Sequence, residues 1–139
     1  MTLDSAGLQV LSREECLVLL ASVPVGRIVF TDRALPAVQP VGFVLDGEHV
    51  VIRTTAGSRL AAAARNAVVA FEADEFDARA HRGWSVTMVG HARAVHDLAE
   101  IERLALLPLT PWARGGDHFI VMFPQQISGR RIHGEAALT

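Results

Sequence analysis

The chain has 139 residues, 50% of them hydrophobic, and this predicts a single domain over residues 1–139 with one core. Its formal net charge is −2 and its 13 Lys and Arg residues are scattered, which excludes the basic surface expected of a protein that binds nucleic acid or an anionic membrane. One cysteine, no N-terminal signal pattern and no long apolar run favour a cytoplasmic protein that does not span a membrane.

A capped helix followed by a strand is predicted after a loose head of residues 1–10. Ser12 and Glu15 have the spacing of a capping box, and apolar residues continue at helical spacing until Pro24. Residues 25–31, VGRIVFT, are rich in β-branched and aromatic side chains, which favours a strand.

A second strand is predicted over residues 37–45, and it is irregular. Pro40 and Gly42 lie inside it, and residues of these types indicate an edge, a bulge or a close approach by another backbone or a ligand. Asp46 and Gly47 form a hairpin signal, so we expect this strand to pair with the one that follows.

Residues 50–66, VVIRTTAGSRLAAAARN, predict a strand, a tight turn and a short helix with Ser58 at its N-cap. Unpaired N–H groups at a helix start attract anions, and guanidinium and hydroxyl groups nearby add donors. The side chains that supply them belong to Arg53, Thr54, Thr55, Ser58 and Arg59. They predict a phosphate-binding cradle, and the alternative is a solvated connection with ordinary surface arginines.

The middle of the chain predicts two more strands. Residues 67–73 form the first, and residues 84–96 form a long one. Period-two alternation places Trp84 and Met88 on one face of the long strand, unless Gly90 marks a bulge. A long strand with a central glycine is typical of a barrel that bends as it closes.

The C-terminal part predicts a third helix and the last strands. Asp97 and Glu100 repeat the capping pattern before the helix, residues 118–124 and 127–133 form the strands, and residues 134–139 form a loose tail. Six or seven strands joined by hairpins or short helices predict a mainly β fold, an antiparallel barrel, rather than a doubly wound parallel sheet.

Several short segments, taken in order, resemble the pyridoxamine 5'-phosphate oxidase-like family of small FMN-binding split β-barrels, which is common in actinobacteria. Together they cover residues 11–133, and they are Val25-Gly26-Arg27, Pro36-Ala37-Val38-Gln39-Pro40-Val41, Asp46-Gly47, Arg53-Thr54-Thr55-Ala56-Gly57-Ser58-Arg59-Leu60, Phe71-Glu72-Ala73-Asp74, Gly83-Trp84-Ser85-Val86, Gly90-His91-Ala92 and Gly129-Arg130-Arg131-Ile132. The resemblance implies an antiparallel split barrel that forms a homodimer, with FMN in grooves between the subunits.

The resemblance also implies roles for individual residues. Arg53, Thr54, Ser58 and Arg59 would hold the FMN phosphate, and Thr55 would lie beneath the isoalloxazine ring. Main-chain groups of Val38, Gln39, Pro40 and Val41 would line the ring. Trp84 and Ser85 would approach the flavin, and Trp112 could reach it from the partner chain. For each tryptophan, packing in a core or interface is the alternative.

Other chemistry finds little support in the sequence. The six histidines show no metal-ligand spacing, and no nucleophile elbow or dinucleotide-binding glycine motif occurs. We therefore predict an FMN-dependent oxidoreductase that acts on an unidentified small molecule, and we nominate no catalytic residue because the flavin supplies the redox chemistry. The alternatives are a flavin carrier or sensor without turnover, a reductase using an 8-hydroxy-5-deazaflavin coenzyme, and a structural dimer with an empty cradle.

Overall fold

The computed structural model describes residues 1–109, 116 and 118–134. These residues contain seven strands and three helices. The strands are β1 (Gln9–Val10), β2 (Val25–Asp32), β3 (Leu35–Asp46), β4 (His49–Thr54), β5 (Ala67–Asp77), β6 (Arg82–Ala94) and β7 (His118–Ile132). The helices are α1 (Arg13–Ala21), α2 (Arg59–Ala63) and α3 (Leu98–Ala105).

The six longer strands close into a ring. Their order is β7-β4-β3-β2-β5-β6, and β6 pairs back onto β7. The short strand β1 pairs with Arg130 and Arg131 near the end of β7. All of these pairings are antiparallel. The predicted antiparallel barrel is therefore confirmed, although the two strands predicted over residues 118–133 are one continuous strand.

Hydrophobic side chains fill the ring and also cover part of its outside. Val50 and Ile52 of β4 belong to the cluster inside the barrel, whereas Val51 belongs to a second cluster with Val95 and Leu104. Leu104 lies on α3, so this helix covers the outer face of β4 and β7. Both faces of β4 are buried for this reason.

Capping residues fix the first turns of the longer helices α1 and α3, as the sequence predicts. The Ser12 hydroxyl accepts a hydrogen bond from the Glu15 N–H, and the Glu15 carboxylate accepts one from the Ser12 N–H. At the start of α3, the Asp97 carboxylate accepts from the Glu100 N–H at 3.1 Å. Each such cap contributes about 1 kcal/mol to the stability of its helix.

The irregular strand β3 has one free edge. Its residues 35–42 pair with β2 in an uninterrupted register, but pairing with β4 begins only at Phe43. Of the three explanations offered for Pro40 and Gly42, the edge is correct, because Pro40 lies where the second edge of β3 has no strand partner among the described residues.

A bulge does occur beside Gly90, but the extra residue is on β7. Val89 pairs with Gln126 and Gly90 pairs with Pro124, which leaves Gln125 without a partner. Strand β6 therefore keeps its alternation, with Trp84 and Met88 both facing the barrel interior. A Cβ atom at residue 90 would overlap the Phe123 carbonyl, so the close backbone approach requires glycine.

We predict that Gly90→Ala lowers the free energy of unfolding by about 1–3 kcal/mol, because the β7 backbone must shift to make room. Urea unfolding followed by circular dichroism measures the change. Gly57→Ala is the matched control, since a Cβ there meets nothing within 4 Å, and its effect should stay within about 0.5 kcal/mol. Equal stabilities for the two variants would contradict the explanation.

Candidate functional site

The connection between β4 and α2 brings two of the predicted cradle hydroxyls together. Ser58 is the N-cap of α2, and its hydroxyl accepts from the Ala61 N–H at 3.0 Å. The Thr54 hydroxyl donates to the Ser58 hydroxyl at 3.0 Å, and Thr55 is exposed in the turn between them. The predicted strand, turn and capped helix are therefore present.

The two cradle arginines have separate protein partners. Arg53 lies on the opposite face of β4 from Thr54, where its Nε–H donates to the Gly116 carbonyl and its guanidinium carbon is 5.3 Å from the centre of the Phe119 ring. The Arg59 Nε–H donates to the Asp32 carboxylate at 2.8 Å, and 70% of the Arg59 side chain is exposed. Phosphate binding by the five cradle residues stays a prediction.

The four predicted ring-lining residues lie along the free edge of β3. The side chain of Val41 is buried in the core, Gln39 is half-buried, and Val38 and Pro40 are exposed. Val38 is 66% exposed, which is unusual for a valine in a long strand. This edge offers main-chain groups and an apolar side chain to whatever covers it.

The predicted flavin contacts on β6 lie at another part of the barrel. Trp84 is 5% exposed and packs in the core, but it also borders a cavity of about 630 Å³. Ser85 is half-buried and pairs with Arg130 on β7. Charged side chains of both signs line the cavity, and they belong to Glu75, Asp77, Arg82 and Arg131; His133 also borders it. Trp112 lies outside the described residues.

A second cavity, which the sequence did not predict, lies beside the cradle. We call it the basic groove; its volume is about 530 Å³, and it is lined by Ala56, Ala61, Arg65, Asn66, Arg93, Ala94, His96 and His118. No acidic residue is among its lining residues in the described part of the chain. No local motif could have revealed it, because its residues come from separate segments.

Three charged side chains form a network on the outer face of β2 and β5. Arg27 Nη1 lies 3.1 Å from carboxylate oxygens of both Glu72 and Asp74. Burial, together with a hydrogen bond to Asp74, raises the pKa of Glu72 to about 7. The same hydrogen bond lowers the pKa of Asp74, and Arg27 adds to the effect. Glu72 is therefore the member of the carboxyl pair that takes up a proton first as the pH falls.

The residues that the structure describes offer neither a cluster of metal ligands nor a membrane-spanning helix. No group of three or more His, Cys, Asp or Glu side chains could hold a metal ion within residues 1–109, 116 and 118–134. Among the helices of these same segments, none has the length and apolar character to cross a bilayer.

Comparison with known proteins identifies the family. Residues 12–131 match the pyridoxamine 5'-phosphate oxidase family, and the chain belongs to it. The chain is 39% identical over 128 residues to the uncharacterized protein Rv0080 of Mycobacterium tuberculosis. The matched region covers 88% of this chain and 84% of that protein. The resemblance on which the expected fold depends is thereby confirmed.

Solved structures with the same fold include flavin-binding proteins. The FAD binding protein from Mycobacterium smegmatis superposes with a TM-score of 0.78 at 39% identity, covering 90% of this chain and 98% of that one. A protein of unknown function from Corynebacterium diphtheriae gives a TM-score of 0.76 at 32% identity, covering 90% of this chain and 98% of that one.

The raised pKa of Glu72 predicts how the stability of the folded protein changes with pH. The ordinary pKa of Glu72 is 4.5, so between about pH 4.5 and 7 the folded chain binds more protons at this residue than the unfolded chain. This contribution to stability is full below pH 4.5 and is lost as the pH rises through about 7. Glu72→Gln should remove it, making the urea midpoint less dependent on pH from 5 to 8.

Glu75→Gln is the control for this experiment, because Glu75 is exposed on the same strand. It should leave the pH profile of the wild type unchanged. A Glu72→Gln profile identical to that of the wild type would show that the carboxyl pair does not share a proton in this way.

Proposed function

We propose that the protein binds a flavin and acts as a flavin-dependent oxidoreductase on a small molecule. The observation that carries this proposal is the 39% identity, over nine-tenths of the chain, to a split barrel described as an FAD binding protein. Family membership over residues 12–131 supports it independently. A flavin carries out hydride and electron transfer itself, so the protein has only to bind, orient and shield it.

The cradle is where we expect the flavin's first phosphate to bind. Thr54 and Ser58 hydroxyls lie 3.0 Å apart and can turn toward phosphate oxygens. Arg59 is exposed, and its ion pair with Asp32 is of the surface type that contributes about 0–1 kcal/mol. Exchanging that carboxylate for a phosphate therefore costs little. The predicted FMN and the FAD of the M. smegmatis relative share this phosphate.

The free edge of β3 suits the isoalloxazine ring. The ring has a polar edge that needs hydrogen-bond partners, and residues 35–42 have main-chain groups on one side that no described strand satisfies. The exposed side chain of Val38 offers apolar contact beside them. These properties support the ring-lining role predicted for Val38, Gln39, Pro40 and Val41.

We also propose that the protein is a homodimer with the flavin between subunits. Leu35 is 68% exposed and Val38 is 66% exposed, on the part of β3 that has a free edge. Exposed apolar side chains beside unpaired main-chain groups are features that a protein usually covers. A second copy of the chain would cover them and could bring its own Trp84 and Ser85 toward the ligand.

Two measurements separate the oxidoreductase from its alternatives. The visible spectrum of the purified protein distinguishes a flavin from a deazaflavin coenzyme, and a colourless protein that takes up no added flavin would indicate a structural role. Reduction of the bound flavin by NADH or NADPH, followed by transfer to an acceptor, distinguishes a reductase from a carrier.

We predict that Arg59→Ala weakens flavin binding about 10- to 100-fold, because one charge-assisted phosphate contact is lost. Quenching of flavin fluorescence during titration measures the Kd. Arg13→Ala is the matched control, since Arg13 also forms an exposed ion pair, with Glu48 at 2.6 Å, and should keep the wild-type Kd. An equal rise in the Kd for flavin in both variants would contradict phosphate binding at the cradle.

Val38→Asp should convert the dimer to a monomer, because a charge would be buried between the subunits without a partner. Light scattering coupled to gel filtration measures the mass. Val18→Asp is the control, since Val18 is a 71% exposed valine on α1, and this variant should stay dimeric. A Val38→Asp variant that remains a dimer would place the interface elsewhere.

A further inference from the structure

We propose that the basic groove is a second anion site, separate from the flavin cradle, which binds a small ligand that carries a phosphate monoester group. The side chains that would recognise the phosphate are those of Arg65, Asn66, His96 and His118. These residues lie outside the cradle, so the site goes beyond the proposed function and can be tested without a flavin.

The groove concentrates positive charge on a chain whose formal net charge is −2. Every titratable residue that lines it, among the residues described, is basic. Arg93 is neutralised by Glu100, whose carboxylate lies 2.6 Å from its guanidinium group. Arg65 is exposed and forms no ion pair with another residue of the described segments, so its charge is available to a ligand. A concave surface of one sign attracts a ligand of the opposite sign.

Hydrogen-bond donors reach the groove from two parts of the chain. Arg65 and Asn66 follow the end of α2. His96 follows β6, His118 begins β7, and their ring centres are 6.3 Å apart. Each imidazole keeps at least one N–H donor in either protonation state. Donors that converge from several side chains match the three terminal oxygens of a phosphate ester better than a carboxylate, which a single guanidinium group can satisfy.

The size and walls of the groove indicate an organic ligand rather than a free ion. Its volume of about 530 Å³ lies in the range of small-molecule sites and exceeds the space that one phosphate group needs. Ala56, Ala61 and Ala94 contribute short apolar side chains to the lining. These alanines can contact the carbon skeleton of the ligand while the basic side chains hold its phosphate.

The groove adjoins the cradle but has a different set of side chains. None of the five cradle residues is among its lining residues, although Ala56 of the same turn is. Arg59 pairs with Asp32 of β2 at 2.8 Å, whereas the groove is bordered by residues at the end of β6 and the start of β7. A phosphate in the cradle and a phosphate in the groove therefore have different protein partners, and both sites can be occupied at once.

The cavity beside Trp84 lacks this basic character. It is larger, at about 630 Å³, but Glu75 and Asp77 line it together with arginines. Carboxylates in the lining repel a phosphate dianion. Of these two cavities, the basic groove is therefore the one suited to a phosphate ester.

Calorimetric titration of the protein, both as purified and saturated with FMN, tests the site. We expect AMP and ribose 5-phosphate to bind, and adenosine and ribose, which lack the phosphate, not to bind. Arg65→Gln should raise the Kd of both phosphate esters about tenfold, because one charge-assisted contact is lost. His118→Gln should act in the same direction, and its melting temperature shows whether the fold survives.

Arg79→Gln is the matched control for Arg65→Gln. Arg79 is an exposed arginine in the turn between β5 and β6, and it is not among the residues that line the groove. This variant removes the same charge from the chain and should keep the wild-type Kd for both phosphate esters.

The outcomes separate the site from the proposed function. No saturable binding of either ester, or the same Kd in wild type and Arg65→Gln, would overturn the site. Loss of ester binding when FMN saturates the protein would assign the groove to the cofactor and overturn its separation from the cradle. Inorganic phosphate or succinate that binds as tightly as the esters would overturn the ligand class. A protein that binds the esters but no flavin would overturn the proposed function and leave this site intact.

The two esters also distinguish the source of the phosphate. Tighter binding of AMP than of ribose 5-phosphate would support the site and assign it to nucleotides. Equal binding would support it as a site for phosphate esters of sugars and nucleotides alike.

Discussion

The two-sided pairing of β7 is the constraint on which the rest of the structure depends. Its first residues pair with β4, and nearly its whole length pairs with β6, so this one strand turns an open sheet into a ring. Without it, β4 and β6 would be edges and the cluster inside the barrel would face water. The same pairing sets His118 opposite Thr54. Ring closure and the geometry beside the cradle therefore depend on the same contacts.

Incomplete strand pairing decides where the main chain of the barrel can contact a ligand. Backbone groups in a closed ring are used by the neighbouring strands, so a ligand can reach main-chain donors and acceptors only where pairing is incomplete. In the described strands, the segment 35–42 of β3 is such a region, and Pro40 reduces its ability to pair with a strand from another chain. The irregularity that the sequence predicts here is therefore compatible with ligand binding at an unpaired edge.

Local signals in the sequence were sufficient for most of the elements but not for the contacts between them. Strand β1 (Gln9–Val10) lies in the head that the sequence predicts to be loose, because it forms by pairing with the distant strand β7. The capping box at Ser12 and the hairpin at Asp46 depend on residues a few positions apart, and both were predicted. The partners of the cradle arginines were not, because Asp32 lies 27 residues from Arg59 and Gly116 lies 63 residues from Arg53. The basic groove was missed for the same reason: the ring assembles it from Arg65, His96 and His118, which share no local pattern.

The two cradle arginines differ in solvent exposure, and we therefore expect different roles for them in the proposed complex. Arg59 is 70% exposed, and its pair with Asp32 is worth about 0–1 kcal/mol, whereas a charge-assisted phosphate contact is worth about 1.5–3 kcal/mol. The exchange therefore favours the ligand. Arg53 is half-buried against Phe119 and bonds the Gly116 carbonyl, so moving it would disrupt packing between β4 and the residues that lead into β7. Arg59 is consequently suited to bind the phosphate, and Arg53 to hold the β4 end of the cradle in place.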